Sequence, residues 1–334
     1  MSEIHMLNVG EGDCTIFKSN KGHITMIDIS NGNAERATKR IVDSADFSKG
    51  ISVQGNFQMC KKPMNPLDFL DKMGATTIFR FILTHPDMDH LDGFNNLLDG
   101  YNVLNYWDSG VRKEKPDFNG GTKYKEKDWD RYTKVINGKE SLKVITPRAG
   151  SSGKYYNADD EGGGGDYISI LAPSEELVNE TNEGGEVNDG SYVIVYNTAG
   201  GKIAVPGDAH DKAWEYVIAN HLDRIVGCAF MLAPHHGRDS GRSWDFLDKI
   251  QPKLSLLGCA ASEHLAFDAW DNRELTKLTH NQTGNIALYP DSKGIDVFIE
   301  NKTFAERLEG SDPNHTDDYG NYYIGKIQNE GTSS

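Results

Sequence analysis

Thr84-His85-Pro86-Asp87-Met88-Asp89-His90 places two imidazoles and two carboxylates, those of His85, Asp87, Asp89 and His90, within six residues directly behind the segment 79–83. Imidazole and carboxylate together suit first-row divalent ions. The segment 78–83 is short, rich in β-branched and aromatic residues and closed by Pro86, which predicts a buried strand that delivers its ligands into a loop. Alternate side chains of an extended chain share a side, so His85, Asp87 and Asp89 converge, while His90 turns back as the chain enters a helix expected over 91–98. A polar helix-capping loop would account for one such residue. Four of them behind a strand read as a metal site.

Further segments follow in order: Leu7-Asn8-Val9-Gly10-Glu11-Gly12-Asp13-Cys14, Met26-Ile27-Asp28, Val205-Pro206-Gly207-Asp208, Ala233-Pro234-His235-His236-Gly237 and Thr279-His280-Asn281-Gln282-Thr283-Gly284-Asn285-Ile286. With His-x-Asp-x-Asp-His they resemble the metallo-β-lactamase fold hydrolases, in the variant where Asp replaces the usual second His. Within that group they resemble the soluble hydrolase domain of the ComEC DNA-uptake channel, whose DVGQGD, LIDTG, LTGD, VPHHG and TDxxGAI segments stand in the same order. The resemblance spans about residues 4–300 and implies an α/β fold, a four-layered αβ/βα sandwich.

Carried over residue by residue, the resemblance puts His85 and Asp87 on one metal ion, Asp89 and His90 on a second, and Asp208 between the two. One of His235 and His236 completes the second site and the other contacts substrate or leaving group; which does which stays open. Asp28 is expected to orient a ligand histidine. The family's remaining histidine ligand has no candidate, because no histidine occurs from Leu91 to Ala209. The ComEC-like group holds Asn and Ser there, matched by Asn188 and Ser191. Two divalent ions are therefore expected, Mn²⁺ or Zn²⁺, and the oxygen-rich first site suits Mn²⁺ or Mg²⁺ at least as well as Zn²⁺.

The 334-residue chain is 37% hydrophobic with 35 glycines and a net charge of −15 at pH 7, which fits a loop-rich enzyme. A hydrolase domain is expected over 1–300, interrupted by an insertion at about 108–166, with a polar extension over 301–334. Residues 108–154 carry 12 Lys and Arg against 7 Asp and Glu. Trp107, Phe118, Tyr124, Trp129, Tyr132, Tyr155 and Tyr156 are interleaved with them. Such a stretch either holds a phosphate backbone and stacks on bases, or is a solvated insertion whose aromatics pack back on the domain. The glycine-rich stretch 159–166 reads as a surface loop, since no Gly-Lys-Ser/Thr follows. Cys14, Cys60, Cys228 and Cys259 form no Cys-x-x-Cys pair and read as reduced thiols of a cytosolic protein. Met1-Ser2-Glu3-Ile4-His5 lacks a basic and apolar leader pattern, and the longest clean apolar run, 228–233, is too short to span a bilayer, so no membrane association is expected.

Two divalent ions are neutralised by Asp87, Asp89, Asp208 and a shared hydroxide, so attraction of a phosphodiester needs further cations. Arg238, Arg242 and the insertion are the available sources. The reading that follows is a cytoplasmic dinuclear metal-dependent hydrolase of phosphodiester bonds acting on nucleic acid, with Asp89, His235, His236, Asn188 and Arg238 in catalysis. Two other classes stay open. One is a small-molecule phosphodiesterase or phosphorylcholine-esterase-like hydrolase, favoured by an acidic balance that repels duplex DNA. The other is a regulatory binding module on a degenerate metal site. A protein partner is compatible with each.

Overall fold

The computed structural model describes residues 2–36, 56–153, 156, 165–260 and 262–329. Among them, the first half of the chain supplies β1 (Glu3–Met6), β2 (Thr15–Lys18), β3 (Ile24–Ile27), β4 (Thr77–Ile78), β5 (Arg80–Leu83), β6 (Asn102–Val103), β7 (Asn105–Asp108) and β8 (Lys143–Ile145). The second half supplies β9 (Ile168–Ala172), β10 (Val193–Thr198), β11 (Gly201–Val205), β12 (Phe230–Leu232), β13 (Leu254–Leu257) and β14 (Lys277–Thr279). Four more follow: β15 (Ile286–Asp291), β16 (Gly294–Ile299), β17 (Asp312–Thr316) and β18 (Tyr322–Gln328). The larger sheet has the order β17, β18, β16, β15, β1, β2, β3, β5, β7, β8; the smaller runs β14, β13, β12, β11, β10, β9. The run β3, β5, β7, β8 is parallel, as is β11 to β14, so both sheets aim strand carboxyl ends at one edge.

Strand alternation sorts the apolar residues into three layers of core. Ile4, Met6, Phe17, Ile82 and Trp107 of the larger sheet meet Ile170, Ile194, Tyr196, Val205 and Leu232 of the smaller one. The outer face of the larger sheet, with Ile16, Phe81 and Leu83, is covered by α1 (Pro66–Lys72), α2 (Phe94–Gly100) and α3 (Glu126–Ile136). After α4 (Glu175–Asn182) come α5 (Asp211–His221), α6 (Phe246–Ile250) and α7 (Phe267–Asp271), which cover Val193, Val195 and Met231 on the outer face of the smaller sheet. Helix, sheet, sheet, helix is the four-layered αβ/βα sandwich.

Local signals explain most element ends. Asn65 caps α1 by accepting from Leu67 N at 2.9 Å, with Pro66 at the first helical position. The expected strand 78–83 is interrupted at Phe79, whose N–H donates to Ile24 O. The helix expected over 91–98 starts later, at Phe94, because Met88–His90 first makes a tight 3₁₀ turn. The polar segment after residue 300 is an addition to the larger sheet, in which β18 pairs with β16 and packs Tyr322, Ile324 and Ile327 on the inter-sheet core.

Within the insertion, α3 turns Trp129, Tyr132 and Val135 into the core, and Trp107 on β7 is buried as well. Those three aromatics pack on the domain, so they form no base-stacking surface. Phe118, Tyr124 and Tyr156 are half-buried against the same cores, and Tyr155 and residues 157–164 lie outside the described residues. A polar knot docks the helix: Asp128 is buried and accepts from Asn95 N at 2.8 Å and Asn33 Nδ2 at 2.6 Å.

The cysteines depart from the reduced-thiol expectation. Cys14 and Cys228 are free and buried, but Cys60 and Cys259 form a disulfide across 199 residues of sequence. No spacing motif announces it, because only the packing of the turn at Met59–Lys61 beside the end of β13 brings the two together. In a chain-entropy account such a closure stabilises by on the order of 3–5 kcal/mol. Cys60→Ser is expected to lower the unfolding free energy by about that amount in oxidising buffer and to change nothing in excess reductant, as read by denaturant unfolding. Coincident curves under oxidising conditions would show that the pair carries no such constraint.

Candidate metal centre

Parallel pairing of β3 with β5 sets Asp28 and Thr84, each just past its strand, side by side: Thr84 N donates to Asp28 Oδ1 at 2.8 Å and Thr84 Oγ1 to Asp28 Oδ2 at 2.7 Å. The 3₁₀ turn then carries His90 back, so that its Nδ1 lies 2.8 Å from Asp28 Oδ2. From the opposing sheet, Gly207 lets Asp208 approach: a Cβ there would stand 2.7 Å from Thr84 Cβ, and its φ is 52°. Beyond β12, His235, His236 and Gly237 take φ of 51°, 59° and 76° in succession. Left-handed backbone at the two histidines costs about 1–2 kcal/mol each, and it folds both imidazoles into the same cleft.

Asp208 stands between two half-sites. Its Oδ2 lies 3.7 Å from both His85 Nε2 and His235 Nε2, and His85 Nε2 is 3.8 Å from Asp87 Oδ2. Its Oδ1 lies 3.2 Å from His90 Nε2 and 3.9 Å from His236 Nε2, with Asp89 Oδ2 at 3.3 Å from His236 Nε2 and 4.0 Å from His90 Nε2. Asp13, His90, Asp208 and His236 offer ligand atoms within 4.8 Å of one another, all buried.

Hydrogen bonds at Nδ1 decide what each ring presents at Nε2. His236 Nδ1 donates to Asp13 Oδ1 at 3.0 Å and His90 Nδ1 to Asp28. His85 Nδ1 lies 3.1 Å from Thr84 Oγ1, which has given its own proton to Asp28 and therefore accepts. In its neutral form each of the three rings would turn an Nε2 lone pair toward carboxylates, the position that a proton or a metal ion takes; His236 Nε2 lies 3.3 Å from Asp89 Oδ2. His85 Nε2, His90 Nε2 and Asp208 Oδ1 are buried without a hydrogen-bond partner, which leaves positions that a proton or a metal ion would occupy. Such a set could hold a metal ion, and its nitrogen and oxygen donors fit a divalent one.

His235 differs. Arg242 Nη2 stands 2.7 Å from its Nδ1, and a guanidinium only donates. Nδ1 is thus the acceptor, the proton sits on Nε2, and His235 presents an N–H to the cleft. Burial, with Arg242 and His236 adding to it against Asp208, holds its pKa down to about 4, so the ring is neutral. His90 and His236 go the other way. Burial opposes their charge, but Asp208 with Asp28 and Asp89 raises His90, and Asp13 with Asp208 raises His236. Asp208 and Asp89 are pulled down by the same histidines against the effect of burial.

The structure thus gathers His85, Asp87, Asp89, His90, Asp208, His235 and His236. Among the described residues, the side chains of Asn188 and Arg238 make no hydrogen bond or ion pair with that group, although Arg238 N donates to His235 O at 3.0 Å. Asn188 Oδ1 and Ser191 Oγ are buried and unpartnered beside Tyr192, whose N–H donates to Thr84 O; the Arg238 side chain is exposed. Arg242, expected to serve phosphate, is buried and donates to Ala209 O at 2.6 Å as well as to His235. Asp13 and Thr84 were not anticipated as site residues, and Lys113 only as one of the insertion's cations. Asp13 closes the Gly-Glu-Gly-Asp turn, a signal that could have marked it; Lys113 Nζ lies 2.6 Å from Asp87 Oδ1 and carries no local signal.

No protein-family model and no curated protein matches the sequence. Similar solved structures include the metallo-β-lactamase fold protein YhfI from Bacillus subtilis, 9% identical over 84% of this chain and 96% of that one, with a TM-score of 0.45. Igni18, a metallo hydrolase from Ignicoccus hospitalis, is 11% identical over 86% and 100%, with a TM-score of 0.47. Tm1679, a metal-dependent hydrolase of the β-lactamase superfamily, is 13% identical over 84% and 96%, with a TM-score of 0.47. Likeness at this level bears on fold alone, and the sheet order and layers of this chain carry that conclusion by themselves.

Three outcomes test the centre. His236→Ala is expected to lose bound divalent ion, whereas His235→Ala keeps it, as measured by elemental analysis after gel filtration. Asp13→Ala should weaken metal affinity about 10–100-fold, because His236 then loses the partner that orients its ring. Protons compete for the raised His90 and His236, so metal affinity should rise with pH and fall with acidification; chelator competition at pH 6 and pH 8 measures this.

Proposed function

We propose that the chain is a metal-dependent hydrolase of phosphodiester bonds. The observation that carries the reading is Asp208, whose two carboxylate oxygens each face a separate set of histidine nitrogen and aspartate oxygen. Two divalent ions bound there supply Lewis acidity toward phosphoryl oxygens and lower the pKa of water. The protein's own part is geometric. His85, His90 and His236 are locked in the tautomer that ligates, and His235 holds an N–H where a phosphoryl or leaving oxygen lies. The likeness of the motifs to the ComEC hydrolase domain supports nucleic acid as the substrate.

A second reading, a small phosphodiester, is favoured by one observation. Trp107, Trp129 and Tyr132 are buried, and the insertion's cations pair locally: Lys115 with Glu126 and Asp130, Arg131 with Asp99 and Glu140, Arg148 with Glu175. The aromatics that would stack on the bases of a long strand are thus largely withdrawn, although Lys125, Lys134, Lys139 and Lys143 stay exposed.

Protein reconstituted with Mn²⁺ or Zn²⁺ is to be assayed on bis-p-nitrophenyl phosphate, single-stranded DNA, duplex DNA and RNA. Diester cleavage is expected, with His85→Ala and Asp89→Ala falling by orders of magnitude while remaining folded. Full activity in either variant, or no turnover of any of the four substrates, would refute the proposal. Cleavage of the small diester without the polymers would select the second reading.

A further inference from the structure

The metal centre lacks a free positive charge of its own. Arg242 is committed to Ala209 O, Asp208 O and His235 Nδ1, and the Arg238 side chain is out of contact with the group. Lys113 remains. Its Nζ lies 2.6 Å from Asp87 Oδ1, the oxygen turned away from His85, since Asp87 Oδ2 is the one 3.8 Å from His85 Nε2. The neighbouring residue is anchored firmly: Arg112 grips Asp108 with two bonds of 3.1 and 2.7 Å, and its N–H donates to Asn182 Oδ1 at 2.8 Å. Lys113 is therefore held at the rim of the His85 half-site with its side chain 37% exposed.

An ion pair this open contributes about 0–1 kcal/mol to stability, too little to explain its position as a fold contact. An ammonium also carries three N–H donors, and Asp87 occupies one. We propose that Lys113 is the residue that selects an anionic substrate, donating to a non-bridging oxygen of a phosphodiester lodged against the Asp87 side of the centre while keeping its bond to Asp87. The proposal rests on the hydrolase reading above. Charge supports it: with Asp87, Asp89, Asp208 and a hydroxide neutralising two divalent ions, Lys113, among the described residues the one cation in contact with the group and open to solvent, decides whether a phosphodiester is attracted.

The test uses metal-loaded wild type, Lys113→Ala and Lys113→Arg, with bis-p-nitrophenyl phosphate kinetics, calorimetric binding of inorganic phosphate, and metal content. Lys113→Ala is expected to raise both KM and the phosphate Kd about tenfold, a change of about 1.4 kcal/mol, with kcat within about threefold and metal content unchanged. Lys113→Arg should recover most of the loss. Unchanged KM and phosphate affinity would overturn the proposal, as would loss of metal from Lys113→Ala, which would mean that the lysine acts only through Asp87. If wild type fails to cleave the diester yet binds phosphate through Lys113, the anion contact stands and the hydrolase reading falls. If it cleaves the diester and Lys113→Ala is indistinguishable from it, the hydrolase reading stands and the role of Lys113 falls.

Discussion

A buried carboxylate set among imidazole nitrogens that have already given away their Nδ1 protons is the constraint on which this architecture turns. Asp208 is 3% exposed, and His90 Nε2 stands 3.2 Å from its Oδ1, close enough that a proton or a metal ion must lie between them. Without positive charge between them these atoms repel, and burial removes the water that would screen them. The sheets deliver this conflict deliberately: β11 carries Asp208 from one side of the inter-sheet core and β5 carries His85 to His90 from the other. Gly207 permits the close approach, since any side chain there would strike Thr84.

Around that carboxylate, a set of orienting groups decides function ring by ring. Asp28 serves two of them, accepting from His90 directly and from Thr84, which in turn accepts from His85. Asp13 does the same for His236 from the far end of the chain. Arg242 reverses the pattern at His235. A donor in place of an acceptor turns a ligating nitrogen into an N–H, so two adjacent histidines of the same turn acquire opposite chemistry.

The insertion illustrates how one composition divides into separate roles. Along α3 the aromatic residues fall on the face toward the larger sheet, where burying each side chain contributes about 1.5–3 kcal/mol, and the cations are left outside. There, Arg131 pairs with Asp99 and Glu140, while Lys127 donates to Asn96 Oδ1. Lys113 differs because its acidic neighbour belongs to the metal centre.

Much of the centre was legible in the sequence because its residues sit at strand ends in short segments: His85 and Asp87 follow β5 to one half-site, and the 3₁₀ turn at Met88–His90 carries Asp89 and His90 to the other. The layered α/β fold was legible through the resemblance of the ordered motif segments over about residues 4–300 to metallo-β-lactamase fold hydrolases. What the sequence could not decide is whatever depends on contacts across the two sheets. The tautomer of His235 is set by Arg242 seven residues on, within a turn whose left-handed backbone no pattern predicts. The partner of His236 lies 223 residues away at Asp13, and Cys60 meets Cys259 across 199. Local propensity acts over a few residues, while hydrogen bonds, disulfides and the choice of a buried aromatic over a stacking one depend on which surfaces pack together. That packing is determined only when the two sheets close on their common core.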